Sequence, residues 1–371
     1  VAKQPGERNL SRSGPEARLG RLRLSFSGLG VDTLLVTHLP NVRYLCGFTG
    51  SAGLLLVDSS QATLFTDSRY TFQTRQEVSG ARVHICKHGL IRAASEALRA
   101  RKGRSRVGYS ASQVTVAQKQ ALDQGAGSRV RWASDKGAVE KLRAIKDPGE
   151  LAVLQDAADI ISAVFGRVQG KIHAGVAELS IAATIDYEIK RLGGSGNSFE
   201  TIVASGERSA WAHARPTSKL VGKNELVVLD QGAILAGYCS DLTRSVFVGK
   251  ASRKVKGLYA AVLEAQEAGK QAIRPGVTSG DVDRATRNAL KKAKLDRYFT
   301  HSTGHGLGLE VHEMPRLGKG EGTILEAGMV LTVEPGVYLE GFGGIRIEDD
   351  VVVTSRGAVD LTTAPRDFIE L

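Results

Sequence analysis

Leu226-Val227-Val228-Leu229-Asp230-Gln231-Gly232 matches Val330-Leu331-Thr332-Val333-Glu334-Pro335-Gly336 position by position, at a constant offset of 104 residues. Asp230 overlays Glu334, and Gly232 overlays Gly336. Each is an aliphatic, β-branched run holding one acid, which predicts a strand. Each continues through a Gly-containing turn into a second run with its own acid. The return runs are Tyr238-Cys239-Ser240-Asp241-Leu242-Thr243-Arg244 and Gly344-Ile345-Arg346-Ile347-Glu348. The pattern predicts two β-hairpins related by an internal repeat, with one acid on either strand of each. With Asp230 and Asp241 at facing positions, their side chains project from one face of the sheet.

An acid inside an apolar run is costly to bury unless its charge is compensated. Glu348 by itself could be satisfied by Arg346 or Arg316. Four carboxylates gathered by a pseudo-twofold repeat are a different matter, because they repel one another and need cations. Just before the second hairpin comes His301-Ser302-Thr303-Gly304-His305-Gly306-Leu307-Gly308. Three of the chain's eight histidines, His301, His305 and His312, fall within twelve residues. An imidazole beside four carboxylates completes the donor set of a dinuclear metal centre. The glycines here do not have G-x-G-x-x-G spacing, and no G-x-x-x-x-G-K-[ST] occurs anywhere, which argues against a nucleotide loop. They are expected to let the backbone pass close to a metal and a substrate.

The 371 residues suggest two domains. A composition of 42% apolar and 24% charged residues is that of a soluble globular protein. No run is long enough to span a membrane, and no signal peptide is visible, so a cytoplasmic location is expected. Three widely spaced cysteines, Cys46, Cys86 and Cys239, fit reduced, buried thiols. The net charge of +11 raises the question of nucleic acid. Its excess lies in the first half, at Arg99, Arg101, Lys102, Arg104 and Arg106, without aromatics to stack bases. A solvated basic surface is the expectation, with neither nucleic acid nor membrane as a partner.

Residues 1–14 lack apolar periodicity and are expected to form a mobile basic tail. From Pro15 a helical pattern (Leu19, Leu22, Phe26) leads to strands at 33–37, 54–57, 62–66 and 82–86, and then to two further helix–strand segments. Residues 15–135 thus read as an α/β domain without chemistry of its own. Residues 136–371 form the second domain. Asp147-Pro148-Gly149-Glu150 opens a helix with an acidic N-cap, Pro at the first position and Glu at the third. Leu151, Leu154, Ala158, Ile161, Phe165 and Val168 line one face of it. A second helix stops at Gly193-Gly194, the first hairpin follows, and then the order repeats. Two αα-plus-hairpin halves would put the four acids at the centre of one curved sheet with helices outside it, an α+β arrangement.

These residues resemble a known family. Asp230, Asp241, His305, Glu334 and Glu348 look like the five metal ligands of the pita-bread metallopeptidases, which include methionine aminopeptidase, Xaa-Pro aminopeptidase and prolidase. Phe199-Glu200-Thr201-Ile202-Val203-Ala204-Ser205-Gly206 is a further match. Gly47-Phe48-Thr49-Gly50-Ser51 and Phe65-Thr66-Asp67-Ser68-Arg69-Tyr70 resemble the N-terminal domain of the creatinase, prolidase and Xaa-Pro aminopeptidase branch, which methionine aminopeptidases generally lack. The resemblance implies two divalent ions per chain, Mn²⁺ first, with Co²⁺ or Zn²⁺ as alternatives. It implies attack on the Xaa-Pro bond by a metal-activated water, with Glu334 as proton carrier. His213 and His312 match its carbonyl-side histidines, Arg346 its positioning arginine, and His301 a position near the proline pocket. A homodimer acting on small peptides with proline second is implied as well. The leading expectation is an Xaa-Pro aminopeptidase. The alternative is an Xaa-Pro dipeptidase, because Arg316 matches a position that binds a dipeptide's carboxylate in some prolidases, unless it pairs with Glu313 or Glu321. A non-catalytic binding protein on the same fold is the remote one. The family often has Pro-His-Gly where this chain has Ala212-His213-Ala214, so the Cβ of Ala214 is expected to alter substrate approach.

Overall fold

The strand Thr33–Val36, buried at all four positions, lies inside a six-stranded sheet of the first unit. The structure is a computed structural model and describes residues 14–371. The tail expected at residues 1–14 therefore lies, Gly14 apart, outside the described residues. The sheet runs Arg82–Cys86, Ala62–Asp67, Gly53–Asp58, Thr33–Val36, Ser105–Tyr109, Val130–Ser134. Gly53–Asp58 and Ala62–Asp67 form an antiparallel pair across a short turn, Thr33–Val36 and Gly53–Asp58 a second one although the helix Leu39–Cys46 lies between them, and the other three pairs are parallel. Leu35, Leu56 and Phe65 pack with Ala94 and Leu98 of the Leu90–Arg99 helix and with Leu122 of the Val116–Ala126 helix. Cys46, Cys86 and Cys239 are all buried free thiols.

Contacts divide the chain between Arg143 and Ala144. The second unit opens with the helix Pro148–Val168. The Asp147 carboxylate accepts the N–H groups of Gly149 and Glu150, and Glu150 accepts that of Asp147, each at 3.0 Å. Such a reciprocal cap contributes about 1 kcal/mol. Ile161, Val164 and Phe165 pack with Ile181 and Ile185 of the next helix, Glu178–Arg191, against Val227, Leu229 and Val246. Full burial of side chains of this size contributes about 1.5–3 kcal/mol each. The second helical pair, Arg253–Ala272 and Ser279–Lys292, packs on Leu226, Phe247, Val337 and Ile347. No helix among the described residues is long and apolar enough to cross a membrane.

The two hairpins are present, but neither ladder is continuous. In the first, Glu225–Gln231 pairs with Leu242–Val248 and, beyond a break, Ala233–Leu235 pairs with Tyr238–Cys239. In the second, Val330–Val333 pairs with Asp349–Thr354 and Gly336–Leu339 with Gly343–Arg346. The one curved sheet expected around the acids is thus several sheets that part at the acids. Local chemistry explains the breaks. Pro335 has no N–H with which to extend the ladder past Glu334. A Cβ at Gly232 would collide with the Ser240 carbonyl, so the first hairpin crosses there at close range.

Candidate active site

Asp230 is the penultimate residue of its strand, with Thr243 opposite on one side and Ile202 on the other. The expected facing of Asp230 and Asp241 is therefore off by two positions. Asp241 precedes the strand, two residues before Thr243, and alternation returns it to the same face as a diagonal neighbour. Glu334 and Glu348 occupy the two breaks of the second hairpin, outside any named strand. Freed from the ladder at these points, the acids converge.

His305 is the middle residue of Gly304–Gly306, a strand between Glu313–Leu317 and Val330–Val333. A Cβ on Gly304 would collide with the Thr332 carbonyl, and one on Gly306 with that of Met314. These glycines allow the close approach of neighbouring backbones. The His305 Nδ1–H donates to the Gly306 carbonyl at 3.1 Å. That leaves Nε2 facing Glu334 Oε1 at 3.6 Å and Asp241 Oδ2 at 3.8 Å, the tautomer a metal ligand needs.

Ligand atoms of Asp241, His305 and Glu348 all lie within 4.8 Å of one another. Oδ1 of Asp230 and Oδ1 of Asp241 are buried without a hydrogen-bond partner. Burial, and then the charges of Glu348 and Asp230, hold the Asp241 carboxyl well above the carboxylate range. Burial and Glu334 do the same to Glu348. Burial raises Glu334 to about 8 against the opposing Arg346. Burial and His312 push His305 down to about 4. Orphaned oxygens, mutually repelling carboxylates and a neutral imidazole are a donor set that divalent cations fit. Asp230, Asp241, His305, Glu334 and Glu348 are the residues that would hold them.

Two hollows of about 270 and 290 Å³ share His213, Asp230, His305, His312 and Glu334. The first is also lined by His301, Arg316 and Arg346, the second by Asp241, Glu348, Phe199 and Ile202. Every residue expected from the sequence to hold metal, substrate or the reacting groups thus borders one cavity or the other. Arg346 Nη2 binds Asp230 Oδ2 at 2.5 Å. Ala214 does not intrude, contrary to expectation: it is 3% exposed and packs on Ile202 and Ala204.

Three residues were not legible beforehand. Tyr338 Oη accepts from Arg346 Nη1 and donates to His301 Nε2, both at 2.8 Å, which joins the Asp230 side of the site to His301. The Thr243 hydroxyl donates to Glu348 Oε2 at 2.6 Å and accepts from Arg346 Nε at 3.1 Å. Arg244, 1% exposed, donates to the Glu348 carbonyl at 2.5 Å and pairs with Asp349 at 2.7 Å. Only Thr243 carried a signal: it stands two residues after Asp241, hence on the same face.

Residues 152–355 match the model of Metallopeptidase family M24, and residues 18–145 that of the Creatinase/Prolidase N-terminal domain. The chain is 40% identical over 356 residues to the "Uncharacterized peptidase YqhT" of Bacillus subtilis (strain 168), covering 95% of this chain and 100% of that one. Its structure is similar to that of an Xaa-Pro dipeptidase from Bacillus anthracis, with TM-score 0.92, 37% identity and coverage of 96% and 100%. It is also similar to an X-Pro aminopeptidase from Thermotoga maritima MSB8, with TM-score 0.87, 35% identity and coverage of 95% and 99%. The chain belongs to metallopeptidase family M24, with a creatinase/prolidase domain ahead of its catalytic one, and it is a peptidase.

Proposed function

We propose that the protein hydrolyses Xaa-Pro dipeptides. One observation carries the choice of dipeptides: Arg316 stands opposite His305 in the ladder, lines the substrate cavity, and has no ion-pair partner among the described residues. The pairing with Glu313 or Glu321 considered from sequence is absent. A free guanidinium fork at the cavity wall suits a carboxylate, and a carboxylate is there only if the substrate ends at proline. This favours the alternative over the leading sequence expectation. The Asp67–Tyr70 segment, whose resemblance takes in prolidases and Xaa-Pro aminopeptidases alike, makes contacts within its own unit. Asp67 pairs with Arg69 at 2.8 Å, and Tyr70 Oη bonds the Ser51 hydroxyl at 2.7 Å.

Two divalent ions, Mn²⁺ being the best match to four carboxylates and an imidazole, supply Lewis acidity toward the scissile carbonyl and toward water. The chain's own groups do the rest. Glu334 takes the proton of the attacking water and gives it to the proline nitrogen as the C–N bond breaks and the new C–O bond forms. His213 and His312 donate to the carbonyl oxygen as its charge grows. Arg346, anchored on Asp230 and Tyr338, keeps that carboxylate in place. His301, held by Tyr338, flanks the proline ring.

Kinetics on an Xaa-Pro dipeptide and an Xaa-Pro-Yaa-Zaa tetrapeptide test the assignment. The dipeptide should be strongly preferred, and Arg316→Ala should abolish the preference, mainly through KM. Efficient tetrapeptide turnover, unaffected by the substitution, would instead establish the aminopeptidase, the reading that the likeness to the Thermotoga structure favours.

A further inference from the structure

His213 is carried by a segment with little apolar anchorage. Between Ser205 and Thr217, Trp211, His213 and Arg215 are exposed, and Ala214 is the one side chain in a hydrophobic cluster. Hydrogen bonds must therefore fix it. Two come from the strand Gly343–Arg346: Gly344 N–H to Ser209 Oγ at 2.9 Å, and Arg346 Nη1 to the Ala212 carbonyl at 3.1 Å. Several more converge on one acid, Glu178, in the first turn of the Glu178–Arg191 helix.

Glu178 is fully buried. Its Oε1 accepts the Ser205 N–H at 2.8 Å and the Ser205 hydroxyl at 2.9 Å. Its Oε2 accepts the Thr217 N–H at 3.1 Å and the Thr217 hydroxyl at 2.8 Å. Arg208 Nε lies between them, 3.2 Å from Oε2, and its Nη2 continues to the Arg215 carbonyl at 2.5 Å. One carboxylate thus ties the first residue of the segment, its middle and its last residue into a closed loop. We propose that Glu178 is a positioning residue for the substrate side of the active site: it fixes the 205–217 loop, and through it the place of His213. The side chain touches neither the metal-ligand set nor the cavity. Its effect on the reaction runs wholly through the loop.

The choice of a carboxylate follows from the donors. Four N–H and O–H groups and a guanidinium all point inward, and only an acceptor-only group satisfies them together. A glutamine has the same shape, but would turn an NH₂ donor toward donors already there. The loop would then lose its buried anchor and rest on the bonds at Ser209 and Ala212, the Leu179 N–H to the Thr217 carbonyl at 3.0 Å and the exposed Arg215–Glu200 pair at 3.1 Å.

The inference rests on His213 acting on the substrate, so the experiment separates the two claims. Amide hydrogen exchange on the metal-loaded full chain reads the loop directly. Glu178→Gln should speed exchange at Ser205, Trp211, Ala214 and Thr217 about tenfold or more, with metal content unchanged. Unchanged exchange would overturn the proposal. Kinetics read the consequence: Glu178→Gln should lower kcat/KM about 10- to 100-fold, but less than about threefold in a His213→Ala background. Equal losses in both backgrounds would show that Glu178 does not act through His213. If His213→Ala alone leaves kcat/KM intact, the role of the histidine fails, and exchange still decides that of Glu178. Should Glu178→Gln not fold, Thr217→Val removes one hydroxyl donor, and faster exchange confined to the same loop is the expected result. Its absence there would equally refute the idea.

Discussion

The roles proposed for His312 and for the carboxylates are separable, and single substitutions distinguish them. Asp241 and Glu348 belong to the cluster whose ligand atoms lie within 4.8 Å. Asp241→Asn or Glu348→Gln removes a charge that cations need, so metal content and activity should fall together; elemental analysis beside an activity assay checks this. Full activity in either variant would falsify the site. His312 borders both hollows but lies outside that cluster. His312→Ala should therefore retain metal while kcat drops about 10²-fold, the usual effect of losing a donor to a developing oxyanion. A variant that recovers its full rate once metal is restored would remove the histidine from the mechanism.

Among the elements, the interrupted hairpin is the decisive device. A regular strand holds its side chains in strict alternation, which spaces acids along a face but does not bring four to a point. Breaks in the ladders at Asp241, Glu334 and Glu348 let these three converge on Asp230, which stays paired, and the breaks must then be held by other means. Arg244 holds one. Its guanidinium meets the carbonyls of Thr243, Glu348, Ala364 and Pro365 as well as the Asp349 carboxylate. Arg244→Met leaves Asp349 buried without this partner and frees the Glu348 backbone. Chemical denaturation should show a loss of about 3–5 kcal/mol, and apo-protein titrated with metal should bind more weakly. A variant as stable as the parent would show that the clamp contributes little.

For the molecule as a whole, burying this many acids makes its stability depend on metal and pH together. In the metal-free protein the Asp241 and Glu348 carboxyls lie well above their ordinary range, and Glu334 is raised to about 8. A raised carboxyl pKa means that the folded state binds more protons than the unfolded one. The associated stability is present in full below the unfolded value of about 4.3 and is lost as pH rises toward about 8. Divalent ions replace those protons. Thermal unfolding with and without chelator should thus show a Tm gap that widens from pH 5 to pH 8. A gap independent of pH would mean that the acids are neutralised by the protein itself.

What the sequence determined by itself was local or repeated. The 104-residue offset exposed Asp230 and Glu334, the return runs supplied Asp241 and Glu348, and the glycine-flanked His305 stood out by its context. The Asp147–Glu150 cap and the helix after it were equally legible, because a cap needs only residues three apart. The tertiary structure alone decided which distant residues meet. Thr243 reaches Glu348 across 105 positions, and Arg346 reaches Asp230 across 116. Glu178 closes its loop over 27 and 39 positions, with nothing periodic to betray it. Tyr338 reads as an ordinary hairpin residue until His301 and Arg346 are placed on either side of it. Side-chain hydrogen bonds of this kind follow from where strands break and cross. No local propensity encodes that, since it is set by the packing of both halves at once.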